Sequence, residues 1–289
     1  MEKKKKLIIG TANFGSNYGV NYRKQNLNYK KISEIIKIIK INKINYIDTA
    51  RSYKNTEQLL GKFDLKNFNV ITKIKNIEPK FESFEYVKDQ LLKSLQCMKI
   101  NKIYGLLIHN PKELKNKSGF KIYKSLKILK KRGLVKKIGY SINSPSDLDN
   151  LYKKFKPDLI QFPLNVFDQR ILETGWLKKL QKDKVEIHVR SIFLQGILLK
   201  QKKDLPKKFL KFKKEFYNWY NWLRINKLNN LEGCLNFIFQ IPNIKIIFGI
   251  DNIDQLNKII KFKKKRDFNF LGLKSNKKNL ITPSRWKII

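Results

Sequence analysis

The stretch INYIDTARSYKNTEQLLG, Ile44 to Gly61, decides the fold. It runs apolar through Ile47 and then presents Asp48, Thr49, Arg51, Ser52 and Tyr53 in quick succession. A short β-branched run that stops in polar side chains reads as a buried strand whose C-terminal end opens onto a site. Similar runs recur along the chain at 7–11, 46–50, 69–74, 104–110, 137–142, 159–165, 186–193 and 245–250. Lysine-punctuated amphipathic stretches lie between them. In 29–43, Ile32, Ile35, Ile36 and Ile39 share one helical face, and in 82–98 Phe84, Val87, Leu91 and Leu95 do the same. Gly133 reads as a helix stop, and Ser144-Pro145 as a helix start.

Buried strands separated by helices pair in parallel through right-handed crossovers. Eight such units predict an α/β chain folded as a (β/α)8 TIM barrel, a single domain over 1–289, with an extra helix or loop at 201–229 and a C-terminal tail at 263–289. A doubly wound open sheet is the competitor. It calls for a glycine-rich dinucleotide turn after the first strand, and Gly10, Gly15 and Gly19 do not have that spacing.

The formal charge is +41, from 64 Lys and Arg against 23 Asp and Glu. Clustered, such an excess would point to a polyanion; here lysine is spread over nearly every segment, as on a solvated surface, and no specific nucleic-acid partner is expected. The two cysteines, Cys97 and Cys234, lack metal or disulfide spacing and read as core thiols in a reducing compartment. No metal site is expected. With no apolar run long enough for a bilayer and no signal-peptide core, the chain reads as cytoplasmic and free of membrane.

A barrel keeps its chemistry where strands end. The second strand supplies Asp48, with Tyr53 in the loop beyond; the third supplies Lys73 and the fourth His109. An ammonium beside a tyrosine stabilises the phenolate and brings its proton within useful range, an aspartate fixes the ammonium, and a histidine donates to a carbonyl oxygen. Such a set polarises a carbonyl and protonates its oxygen. Taken singly, each has an ordinary reading: Asp48 as a turn residue, Tyr53 as a surface aromatic, Lys73 as one lysine among many. His188, within a strand, reads as a satisfied barrel-interior histidine.

The ordered segments GTANFG, IDTARSYKNTEQLLG, ITKI, LLIHNP, IGYSI, IQFPLNVFDQR, RSIFLQG and FGIDNIDQL resemble the aldo-keto reductases over residues 7–262. With its YGVN segment, Tyr18 to Asn21, the chain looks most like bacterial members, some of which sit among surface-polysaccharide genes. The resemblance implies a catalytic tetrad of Asp48, Tyr53, Lys73 and His109, with Tyr53 the general acid. It implies a nicotinamide cofactor: Ser141 and Gln161 at the carboxamide, Ser191, Leu194 and Gly196 around the pyrophosphate, and Gly249, Asp251 and Gln255 near the adenosine ribose. It favours NADP(H) over NAD(H) by a margin that Asp251 narrows, because a carboxylate there repels a 2′-phosphate. Ile142 follows Ser141 where members often have Asn, leaving one carboxamide contact missing or supplied by Asn143.

The implied reaction is NAD(P)H-dependent reduction of an aldehyde or ketone, a sugar-derived carbonyl included. The alternatives are a nicotinamide-binding barrel that serves as a regulatory or scaffolding subunit, and a polyanion binder recruited by charge. Substrate, direction and oligomeric state stay open. Phe14, Tyr18 and Tyr22 either line the mouth or pack the rim, and the TPSRW segment either closes over the mouth or packs as a tail. Arg51 and Arg190 either meet an acidic or phosphorylated sugar or make structural ion pairs.

Overall fold

The computed structural model describes residues 4, 6–15, 27–74 and 84–288; Tyr18 and Tyr22 lie outside them. Eight parallel strands form a closed barrel in chain order: β1 (Leu7–Gly10), β2 (Tyr46–Asp48), β3 (Asn69–Ile74), β4 (Ile103–Ile108), β5 (Val135–Ser141), β6 (Leu159–Pro163), β7 (Glu186–Arg190) and β8 (Lys245–Gly249). β1 pairs with both β2 and β8, which closes the sheet and removes its edges. The barrel expected from the sequence is the one found. Several strands stop sooner than their apolar runs, β7 at Arg190 and β4 at Ile108, so His109 stands just past a strand end. The cause at β7 is backbone: Ser191 has φ +59, which a strand cannot accommodate.

Helices cover the outside because their apolar stripes need the sheet. The helix Tyr29–Ile41 buries Ile32, Ile35, Ile36 and Ile39, and Asn28 caps it by accepting from the Lys31 amide at 3.0 Å. In the helix Phe84–Met98, Val87, Leu91 and Leu95 are buried. Gly61, at the end of the quoted stretch, closes the short helix Thr56–Leu60 against that helix; a Cβ on it would stand 2.0 Å from the Cys97 carbonyl oxygen. Only glycine permits so close a crossing.

Register steps the functional residues along successive strands, as closure of a tilted barrel requires: Asp48 pairs two residues short of Lys73, and Lys73 with Leu107, two short of His109. Gly10 pairs with both Asp48 and Gly249, Asp48 with Ile71, Ser141 with Gln161, and Pro163 with Arg190. Ile71, Leu107 and Leu159, with Tyr46 and Tyr104 against them, form an apolar cluster separate from the main core. At the strands' starting ends, Glu186 accepts from Tyr104 Oη, Lys137 Nζ, Lys245 Nζ and His188 Nε2 at 2.5–2.7 Å. Burial opposes ionisation of Glu186, yet the bonds from His188, Lys137 and Lys245 outweigh it and hold the carboxyl well below the usual range. His188 is thus tied to structure.

Residues 201–229 hold two 3-10 turns, Lys202–Asp204 and Lys207–Phe212, and the helix Lys213–Ile225. Trp219 of that helix is fully buried and donates to Leu198 O at 3.4 Å, while Asn230 donates to Leu198 O and Lys200 O. The segment therefore braces the loop that follows β7. Trp286 packs edge-on against Phe209 at 4.8 Å, so the TPSRW segment is docked on this insertion.

Candidate active site

At the C-terminal end of the strands, Lys73 Nζ donates to Asp48 Oδ2 at 2.6 Å and to Thr49 O at 2.8 Å. Both side chains are almost completely buried. Gln161 Nε2 donates to the other carboxylate oxygen, so Asp48 is gripped from two sides. The loop after β2 turns back at Tyr53, whose amide donates to Ala50 O at 3.0 Å. That turn sets the Tyr53 ring 5.5 Å from Lys73 Nζ and edge-on to His109, with centroids 6.2 Å apart. Four residues separated by up to 61 positions in the chain thus meet at one end of the barrel.

The charges there act on one another. Burial lowers the pKa of Lys73, and Asp48 only partly offsets it. His109 is pushed down to about 4, first by burial and then by the positive charges of Lys73 and Arg190. It is a neutral imidazole at ordinary pH, with Nδ1 3.1 Å from Ser52 Oγ.

A cleft starts at Asp48 and Tyr53, passes Arg190, and runs between Gly10–Asn13 and the Ser191–Leu199 loop to Gly249, Asp251 and Gln255. Ser191, Leu194, Gln195 and Gly196 have φ of +59, +46, +52 and +86. Three non-glycine residues in the left-handed region within one loop mark backbone held against its preference, as at binding loops. Gly249 presents open space where a Cβ would stand, with only Asn13 Nδ2 nearby at 3.7 Å. An elongated ligand can therefore lie against backbone there.

The Aldo/keto reductase family profile matches residues 6–268. The chain belongs to the aldo-keto reductase family. It is an NAD(P)-dependent oxidoreductase of the type that acts on small-molecule carbonyls. Among solved structures, the aldo-keto reductase of Bacillus halodurans in its holo form superposes with a TM-score of 0.72 at 18% identity, covering 91% of this chain and 88% of that one. The glycerol dehydrogenase of Gluconobacter oxydans gives 0.68 at 19%, covering 91% and 88%. A mutant of Gox0644 in complex with NADPH gives 0.64 at 16%, covering 94% and 90%. At such identities the likeness is one of fold. No curated protein matches the sequence.

Within this aldo-keto reductase, Ser191, Gly196, Gly249, Asp251 and Gln255 line the cleft. Leu194 does not; its side chain is wholly buried in the core, and Phe193 and Gln195 face the cleft from that loop instead. Ser141 and Gln161 are buried on adjacent strands beneath it. Gln161 Oε1 has no hydrogen-bond partner among the described residues. Asn143, considered as a substitute contact, has Oδ1 bonded by Arg190 at 2.7 Å.

Arg51 takes the second of its two readings, the structural ion pair. Its Nη1 donates to Glu57 Oε2 at 2.7 Å and lies 3.9 Å from Cys97 Sγ, and it is absent from the cleft wall. Glu57 is buried and also accepts from Thr72 and Ser94. Arg51 thus neutralises the buried carboxylate that anchors the quoted stretch to the helix Phe84–Met98. Cys97 beside it is only half-buried, unlike Cys234.

Sequence reasoning missed Thr11 and Asn13 on the cleft wall. Asn13 Nδ2 donates to Asp251 Oδ1 at 3.0 Å. The signal available was the polar side chain within GTANFG, three residues beyond Gly10, which itself pairs with Asp48. Phe14 is buried under the rim, and neither it nor Thr282–Trp286 lines the cleft. Among the described residues no cluster suits a metal ion, and no helix is long and apolar enough to cross a membrane.

Proposed function

We propose that this enzyme reduces an aldehyde or ketone, with Tyr53 giving the proton to the carbonyl oxygen. The observation that carries the reading is the buried Asp48–Lys73 pair with the Tyr53 ring 5.5 Å from its ammonium, at the inner end of the cleft. The chain's residues suit a nicotinamide dinucleotide. The unpartnered Gln161 Oε1 is an acceptor for an amide donor, and the left-handed loop at Ser191–Gly196 and bare Gly249 suit a diphosphate and ribose. When bound, the reduced nicotinamide supplies the hydride. Lys73 favours the phenolate left after proton transfer, Asp48 fixes Lys73, and neutral His109 donates an N–H to the oxygen.

Asp251 supports NAD(H) as the preferred cofactor. With the reacting ring at Tyr53, the far end of the cleft takes the adenosine ribose, and Asp251 is the charged residue lining that end. The amides that would otherwise meet a phosphate are occupied: the Asp251 N–H donates to Gln255 Oε1 at 2.8 Å and the Gln255 N–H to Asn252 Oδ1 at 2.8 Å. A ribose diol fits that setting better than a 2′-phosphate. Asp251→Arg is expected to move the ratio of NADPH to NADH affinity about 10–100-fold toward NADPH, as one charge-assisted contact is worth. Fluorescence titration with both cofactors reads it.

The direct test of the reaction follows quenching of tryptophan fluorescence by reduced cofactor and then its carbonyl-dependent oxidation across aldehydes and ketones. Cofactor binding with turnover of some carbonyl is the expected result. Binding without turnover across the panel would favour the non-catalytic barrel.

A further inference from the structure

Ser52 stands between two residues that the loop after β2 turns inward, Arg51 toward Glu57 and Tyr53 toward the cleft, while Ser52 itself is exposed. Among the described residues its hydroxyl meets one partner, His109 Nδ1 at 3.1 Å, 57 positions along the chain. The loop holds that hydroxyl in place. The Arg51 amide donates to Lys73 O at 3.2 Å, the Tyr53 amide to Ala50 O at 3.0 Å and the Thr56 amide to Tyr53 O at 2.9 Å. The second ring nitrogen, His109 Nε2, makes no hydrogen bond among the described residues and is the one left to meet a substrate.

A neutral imidazole has one donor nitrogen and one acceptor, and the bond made by the first decides what the other can do. If Nδ1 gave its proton to Ser52, Nε2 would be a lone pair, and a carbonyl oxygen beside it would meet a second acceptor. If Ser52 gives its hydrogen to Nδ1, the ring proton stands on Nε2 and a carbonyl oxygen can accept it. The exposed position of Ser52 suits the donor's part, because water can still donate to an oxygen whose hydrogen is committed to the ring. We propose that Ser52 sets the tautomer of His109, its hydroxyl donating to Nδ1 so that Nε2 carries the proton offered to the carbonyl oxygen. This rests on the carbonyl-reductase reading above. Ser52 acts through His109 and is a positioning residue. His188 reaches the same tautomer by another route: the Glu186 carboxylate at 2.7 Å can only accept, so Nε2 is the donor there.

Imidazole 15N shifts distinguish the protonated ring nitrogen from the bare one, and with two histidines in the chain the spectrum is simple. The signals lost in His109→Gln are those of His109. In the unaltered enzyme at neutral pH, His109 is expected to be protonated at Nε2 and bare at Nδ1. Ser52→Ala should shift part of the ring population to the Nδ1–H form and lower kcat roughly three- to tenfold, as one neutral hydrogen bond is worth, with NADH affinity unmoved. Ser52→Thr keeps a hydroxyl at the same place and should restore both the tautomer and kcat. The His188 signals and the melting temperature should hold throughout, since Ser52 is exposed. A native ring protonated at Nδ1 would overturn the proposal. So would a tautomer that is the same in Ser52→Ala, whether or not kcat falls. The carbonyl reading stands or falls separately. A Ser52-dependent tautomer in an enzyme that turns over no carbonyl would sink that reading and keep the tautomer assignment, whereas carbonyl turnover with a tautomer that ignores Ser52 would do the reverse.

Discussion

Tyr53→Phe is expected to lower kcat about 10²–10⁴-fold, the range that positioned proton transfer contributes, with cofactor affinity unchanged. The substitution keeps the ring, and with it the contacts to Lys73 Nζ at 5.5 Å and to the His109 ring at 6.2 Å, so only the hydroxyl is lost. Stopped-flow turnover beside fluorescence titration separates the two quantities, and undiminished turnover would remove Tyr53 from the reaction. The pH profile adds a second reading. His109 titrates near 4 rather than at the ordinary 6.5, so it stays neutral through the neutral range and contributes no limb between pH 5 and 8. The sign for stability follows. An unfolded chain takes up this proton near 6.5 and the native protein only near 4, so the native state loses stability as pH falls through that interval.

The barrel was legible because its strands are buried on both sides and read as unbroken β-branched runs, with helices of clear 3.6-residue period between them. The ends of those strands were less so, since Ser191 leaves β7 through a left-handed conformation that its residue type does not announce. Asp48, Tyr53, Lys73 and His109 could be placed at one end because residue type and strand position agree for each. Arg51 stayed open between two readings because charge alone does not tell which carboxylate an arginine meets; its partner Glu57 lies on the next helix, and the quoted motif carries both. The cleft wall was the least visible part. Gly10, Ala12 and Gly249 contribute mainly backbone, Gln195 is aimed by a strained turn, and Asn13 gains meaning only from Asp251, 238 positions away.

Asp48→Asn is expected to destabilise the protein by about 3–5 kcal/mol, the usual consequence of leaving one member of a buried pair without the other. Lys73 Nζ would keep the Thr49 carbonyl but lose the charge that offsets its desolvation. The native protein can then respond only by shedding the ammonium proton, which depresses the Lys73 pKa further. Stability should therefore fall with decreasing pH more steeply in the variant, because its unfolded state binds a proton that the native lysine has lost. Activity should fall as well, through loss of the ammonium beside Tyr53. A second variant separates charge balance from catalysis: Asp48→Leu with Lys73→Met removes both charges and should recover most of the stability, since well-packed apolar replacements of a buried pair are often neutral or better. It should remain inactive. Chemical denaturation with parallel turnover measurements checks both, and recovered activity in the double variant would show that the pair holds the barrel without serving the proton transfer.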